Sequence, residues 1–370
     1  MYPEMTDLDF SHEDLARAAR YHRPRYLAFA LGTVLSAAVY AVLGWGPVGR
    51  ALWRLVDGLG WAGAAAAWAG IVVLIADLVL LPIAYWRGLV REREWGFSHQ
   101  TALDWFRDHV KGLAVSVVLT AAAWTAAVGL AHLFRGWWPL PAAIVLAVAA
   151  LLASFVAPVV LEPLFNRFRP LEDLELAGEL RALGEQAGVP VSDVLVADAS
   201  RRTTKVNAYV SGLAGTRRVV LFDTLLAAAG KPELKLIVAH ELGHRRDRHV
   251  LKGTLLAMLG GGIAVVVLWA VLGTRVASPR VLPLALLIFT VLELVGLAPA
   301  AALSRRWERE ADRASLELTG DLAAFERAHI ELARKNLSDL EPPRLVYFLL
   351  FSHPTPRERL ALGRAWAAES

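Results

Sequence analysis

Two histidines and a glutamate carry the most chemistry in this chain. In His240-Glu241-Leu242-Gly243-His244 the histidines stand four apart. On a helix both imidazoles therefore leave one face and can share a metal ion, while Glu241, one step round, can reach a water beside that metal. Pro232 suits a first helical turn, and Leu234, Ile237 and Val238 have helical spacing, so residues 231–244 are expected to form that helix. A catalytic zinc takes three protein ligands and keeps one position open. The chain has no cysteine, so the third ligand must be a carboxylate or a histidine. The segment Ser304-Arg-Arg-Trp-Glu308-Arg-Glu310-Ala-Asp312 is helical in composition and supplies one. Glu308 and Asp312 share a face, so Glu308 is expected to complete a His, His, Glu set and Asp312 to orient one histidine. Glu310 should face elsewhere. His249, five residues after His244, reads either as a support behind the metal ligands or, the preferred reading, as an interfacial residue.

The elements that must position these groups lie in a membrane. The 370 residues are 56% hydrophobic before glycine is counted, against roughly 45–50% with glycine in soluble domains. Six stretches are long enough to span a bilayer: Tyr26–Gly46, Trp61–Tyr85, Leu113–Phe134, Trp137–Leu161, Gly253–Gly273 and Val281–Leu303. Of 39 Lys and Arg and 35 Asp and Glu, only Asp77 and Glu293 fall inside them, and both are candidates to line a chamber between helices. The first stretch exceeds a signal-peptide core and begins after 25 polar residues, so it is expected to remain as a span. Trp45, Trp61, Trp137 and Trp138, at span ends, fit an interfacial aromatic belt.

The net charge of +4 resolves into an orientation signal. Arg17, Arg20, Arg23 and Arg25 precede the first span, and Arg87, Arg91, Arg93, Arg107 and Lys111 occupy the second loop; the opposite side has Arg50, Arg54, Arg135, Arg275 and Arg280. Both termini are thus expected in the cytosol, with the chain as a multi-pass protein of the cell (cytoplasmic) membrane. The bilayer is one partner. Nucleic acid is excluded, because the arginines follow membrane topology and form no arm. The division is residues 1–25 as a cytosolic segment, 26–161 as four membrane helices, 162–252 as a first catalytic part, 253–303 as a membrane hairpin and 304–370 as a second catalytic part. In the first catalytic part 162–170 reads as extended and 171–186 as a helix. Asp193–Ala197 and Arg218–Phe222 read as strands, with Asn207–Leu213 a plausible third. Asn207–Gly212, with Asn207 and Ala208 at its start, is either an edge strand on which a peptide lies extended or an ordinary hairpin strand.

These residues, taken in order, resemble a known family: the integral-membrane zinc metalloproteases typified by the type I CAAX prenyl proteases. The likeness is carried by Glu-Arg-Glu-Trp-Gly-Phe-Ser-His-Gln-Thr (92–101), Pro-Leu-Phe-Asn-Arg-Phe-Arg-Pro-Leu (163–171) and Val-Asn-Ala-Tyr-Val-Ser-Gly (206–212). It continues through Val-Val-Leu-Phe-Asp-Thr-Leu-Leu (219–226), HELGH (240–244), residues 304–312, and Ser-His-Pro-Thr-Pro-Arg-Glu-Arg-Leu (352–360). The resemblance implies zinc on the glutamate at the position of Glu308 and a large water-filled chamber enclosed by the helices. The chain departs at its front, where eukaryotic members have an additional span before the segment resembling Leu15–Pro24. The fold expected is mainly α: six transmembrane helices with a cytosolic, zincin-like α+β catalytic domain split around the last two spans.

The expected activity is zinc-dependent endopeptidase cleavage of peptides or membrane proteins on the cytosolic side. His240, His244 and Glu308 bind Zn2+, and Glu241 moves the proton. From the resemblance, His353 is expected to stabilise the oxyanion; it also follows an apolar turn, Leu345–Phe351, able to dip into the interface. Arg359 is a second substrate-facing candidate. The rival reading is a non-proteolytic membrane carrier or scaffold with structural zinc, in which Glu241 is dispensable.

Overall fold

The computed structural model describes residues 9–156, 160, 162–212 and 214–369. Five helical segments are long and apolar enough to cross a membrane: His12–Trp45, Asp57–Glu94, Ala102–Leu133, His249–Ala277 and Pro279–Thr319. Three contain an expected span whole, and His12–Trp45 and Ala102–Leu133 each fall one residue short of the end of theirs. The expected stretch Trp137–Leu161 instead holds a shorter apolar helix, Pro139–Val156, and its residues 157–159 and 161 lie outside the described residues, as do the first eight of the N-terminal segment. Outer faces of the long helices are apolar, with Leu27, Leu78, Leu133 and Val295 each about 70% exposed. Groups left facing outwards in this way suit lipid, because each helix satisfies its own backbone.

Inside the bundle Trp68, Val72, Val128, Trp138 and Leu272 form one buried cluster. Three indole N–H groups tie it together: Trp68 donates to the carbonyl of Arg280, Trp124 to Pro279 and Trp138 to Gly273. All three acceptors lie on the link between the last two long helices. Buried tryptophan needs such a partner for its one polar atom. The interfacial expectation for Trp138 is thereby corrected, since it is 1% exposed and locked to Gly273, whereas Trp45, Trp61 and Trp137 are exposed.

The charged remainder builds a second core on a four-stranded sheet. Its strands are β1 (Phe168–Pro170), β2 (Asp193–Ala197), β3 (Ala208–Ser211) and β4 (Arg218–Phe222), in spatial order β1-β2-β4-β3. β2 and β4 are parallel, and β3 pairs antiparallel with β4 and has a free edge. Residues 162–170 differ from expectation: Glu162–Phe165 is a helical turn, and only 168–170 are extended. The following helix begins at Leu174, because the Asp173 side chain accepts from Leu176 N–H and caps it. Leu176, Leu180 and Leu183 of this helix pack with Val194, Val219, Leu221 and Leu236.

The helix Lys231–Arg246 carries the HExxH residues. It does not run on into the membrane as one rod. Its last turn closes on Asp247, and Arg248 takes a left-handed conformation (φ +57°) before the next helix starts at His249. That turn brings His249 back beside His244. The helix Leu282–Thr319, by contrast, continues unbroken for 38 residues from membrane span to Glu308 and Asp312.

Candidate active site

Gly243 lets the HExxH helix and the long helix approach closely. A methyl group there would sit 2.8 Å from Ala314 Cβ and 3.3 Å from Ala311 Cα, and both alanines are fully buried. Across this contact His240, His244 and Glu308 bring one ligand atom each within 4.8 Å of one another. His240 Nε2 lies 3.4 Å from Glu308 Oε2, His244 Nε2 lies 3.3 Å from Glu308 Oε1, and the two Nε2 atoms are 3.2 Å apart.

The other ring nitrogens are held from behind. His240 Nδ1–H donates to Asp312 Oδ1 at 2.9 Å. Arg359 grips the same fully buried carboxylate with both arms of its guanidinium, Nε donating to Oδ2 at 2.8 Å. On the second histidine the chain is longer. Carboxylate Glu310 accepts from His249 Nε2–H at 3.0 Å, so in the neutral ring His249 Nδ1 is an acceptor and receives His244 Nδ1–H at 3.0 Å. Burial lowers the pKa of His249, which favours that neutral ring. Both HExxH histidines therefore turn Nε2 towards the space beside Glu308.

That space calls for a cation. Glu308 Oε2 is buried with no hydrogen-bond partner among the described residues. Burial opposes the charge on Glu308, but His240 and His244 hold its carboxyl far below the ordinary range. Burial likewise opposes charge on His240, yet Asp312 and Glu308 overcome it and raise the imidazole to about 9. Two nitrogen donors, one carboxylate and a supporting shell fit a small divalent ion of the zinc type. Glu241, one residue along, is driven the other way, its pKa raised by burial.

A cleft of about 670 Å³ opens over these groups and includes Asn207, Ala208, Glu241, His353 and Arg359. His353 stands at its mouth with its side chain 60% exposed and Nε2 3.3 Å from Glu308 Oε1. It follows the short helix Arg344–Leu350, whose Leu345 and Phe348 are exposed. Arg359 lines the cleft, as a substrate-facing residue would, while its Nε and Nη2 bond Asp312 behind His240. Of the two readings of His249 the structure bears out the supporting one and corrects the interfacial one, since the residue is 3% exposed and bonds His244. Glu310 does face away from Glu308, and its direction is towards His249. The i, i+5 spacing of His244 and His249 gave no helical reason to pair them; the break at Arg248 supplies it. His22 and Tyr26 of the first helix and Asn336 complete the wall, and sequence spacing had no means of finding them. In the bundle Asp77 meets His109 at 3.1 Å beside a cavity of about 420 Å³, and Glu293 lines another of about 390 Å³.

Residues 170–367, more than half of the chain, match the family model for Peptidase family M48. The chain belongs to that family. Residues 2–167 match the CAAX prenyl protease N-terminal model, described as five membrane helices. Among M48 relatives, the uncharacterized metalloprotease YhfN of Bacillus subtilis is 32% identical over 78% of this chain and 71% of its own. The CAAX prenyl protease 1 of Saccharomyces cerevisiae is 28% identical over 79% and 70%. In three dimensions the chain is similar to the crystal structure of S. mikatae Ste24p, with a TM-score of 0.83 at 24% identity, covering 97% of this chain and 90% of that one. This M48 protein is a membrane metalloprotease, and the family implies a metal cofactor.

Proposed function

We propose that this M48 protein is a zinc-dependent endopeptidase that hydrolyses peptide bonds of peptides or membrane proteins at the cytosolic face of the cell membrane. The observation that carries the reading is the convergence of His240, His244 and Glu308, with the other ring nitrogen of each histidine held from behind. These three residues would hold the zinc, which would supply Lewis acidity towards a carbonyl and towards water. Glu241 accepts a proton as water adds to the substrate carbonyl, and passes it to the nitrogen as the C–N bond breaks. Its raised pKa suits both halves of that task. His353, exposed at the mouth of the cleft, donates to the carbonyl oxygen as charge develops there. Asp312 and Arg359 hold His240 in its tautomer. Asn207 and Ala208, at the start of the edge strand β3, face an extended peptide, which Ala208 takes by strand pairing.

The helix Pro139–Val156 counts as a further span in this reading, giving six, with two catalytic parts split around the last pair. Orientation is supported by contacts as well as by arginine counts. Glu92, after the second long apolar stretch, pairs with Arg25 of the first helix and with Lys205 just before the substrate strand at 2.6 Å. The arginine-rich ends and the site thus share a side, and the positive-inside bias makes that side cytosolic. The test is metal analysis of protein purified in detergent, alongside cleavage of a denatured membrane protein. Cleavage by a preparation free of bound metal would refute the mechanism.

A further inference from the structure

β3 offers a peptide far less edge than its length implies. Asn207 C=O accepts from Phe222 N–H at 3.0 Å, so 207, 209 and 211 turn their backbone groups to β4, and 208 and 210 turn theirs to the open side. Just before the strand, Val206 is already paired. Its N–H donates to Asn336 Oδ1 at 3.0 Å and its C=O accepts from Asn336 Nδ2 at 3.0 Å, so one amide side chain imitates a strand partner. At the far end Arg245 donates to the carbonyl of Val210. Ala208 N–H donates to its neighbour Asn207 Oδ1 at 3.0 Å. Among the described residues, Ala208 C=O and Val210 N–H have no hydrogen-bond partner.

We infer that Asn336 and Arg245 bracket the edge of β3 and are specificity-determining residues that confine substrate pairing to a three-residue window; this rests on the edge-strand reading proposed above. Both brackets come from rigid elements. Asn336 ends the helix Leu322–Asn336, and Arg245 lies one turn after Glu241 on the HExxH helix. An antiparallel peptide then makes two backbone bonds. The carbonyl of its residue n accepts from Val210 N–H, and the amide of residue n+2 donates to Ala208 C=O. The amide of residue n meets a Val210 carbonyl that Arg245 already holds. Residue n+4 arrives opposite Val206, whose two groups are taken by Asn336. The substrate class this admits is a short extended segment of unfolded chain, read over three residues, and not a long strand.

The experiment is a backbone scan. A cleaved peptide is remade with single amide-to-ester replacements on the non-scissile bonds, each removing one N–H donor, and kcat/KM is measured for wild type, Arg245→Ala and Asn336→Ala. One lost hydrogen bond lowers kcat/KM about three- to tenfold. Wild type should show this at one position on the strand-facing side, n+2, with n and n+4 unaffected. Arg245→Ala should add sensitivity two residues towards the N-terminus, and Asn336→Ala two residues towards the C-terminus. A purely structural role for either residue would scale every peptide equally. Sensitivity at every second residue in wild type, or an unchanged pattern in the variants, overturns the inference. If Asn336→Ala fails to fold, the wild-type and Arg245→Ala scans decide it. Failure of the edge-strand reading itself looks different: the peptides are cleaved, but no ester alters kcat/KM.

Discussion

Replacing Asp312 with asparagine changes one oxygen to an NH2 at the most constrained point of the site. The side chain is fully buried between two donors, His240 Nδ1–H at 2.9 Å and the bidentate Arg359 guanidinium. Asparagine keeps one acceptor oxygen, replaces the other with a donor and carries no charge for Arg359. With its oxygen at the Oδ1 position it still accepts from His240 Nδ1–H, but its NH2 meets Arg359 Nε–H, donor against donor. With its NH2 towards His240, the imidazole must carry its proton on Nε2, the nitrogen needed for metal. Either arrangement breaks a buried ion pair, worth about 3–5 kcal/mol of stability. The second, or a mixture, removes the outer support of a ligand, which typically costs about 10–100-fold in metal affinity, or about 1.4–2.7 kcal/mol. The two effects separate in the double variant Asp312→Asn with Arg359→Met, which removes the stranded charge. Denaturation in detergent should show stability largely recovered in the double variant. Competition against a fluorescent zinc chelator should show affinity still low. Zinc binding within twofold of wild type in Asp312→Asn, or a double variant less stable than the single one, would refute the argument that this carboxylate fixes the ring.

Three further outcomes follow from the same geometry. Gly243→Ala forces a methyl into the 2.8 Å gap before Ala314, so the helices must part; a loss of about 1–3 kcal/mol in unfolding free energy is expected, with weaker metal binding. His249→Phe keeps the ring stacked on Trp307 but deletes the acceptor for His244 Nδ1–H, and should lower zinc affinity about tenfold with little change in melting midpoint. Stripping the metal with a chelator should abolish cleavage and lower the melting midpoint, because the ion binds the folded state alone; zinc at about 100 times its Kd should restore about 2.7 kcal/mol.

The sequence made the membrane helices and the metal-facing residues legible because both rest on local periodicity. His240 and His244 share a face by spacing, Glu308 and Asp312 do the same, and the observed long helix keeps them in register. Five expected spans coincide with long apolar helices for the same reason. What escaped is set by tertiary contact. The αL turn at Arg248 has no glycine to announce it, so the pairing of His249 with His244 was hidden. Arg359 looked like a free cation on a terminal helix, and only the folded chain puts it on Asp312, 47 residues earlier in sequence. Trp138 sits at a span end like Trp137, and only Gly273 on another helix decides that it turns inwards. Asn336 meets Val206 across 130 residues of chain, beyond any spacing rule.

The central claim is that Glu241 moves the proton in a metal-dependent peptide hydrolysis. It is tested most directly by comparing kcat for one peptide between wild type and Glu241→Gln at equal, measured zinc content. A general base contributes about 10²–10⁴-fold, and Glu241 itself is not among the clustered ligand atoms. The expected result is therefore unchanged zinc occupancy with kcat lowered at least a hundredfold. Equal zinc with kcat within tenfold of wild type would contradict the account.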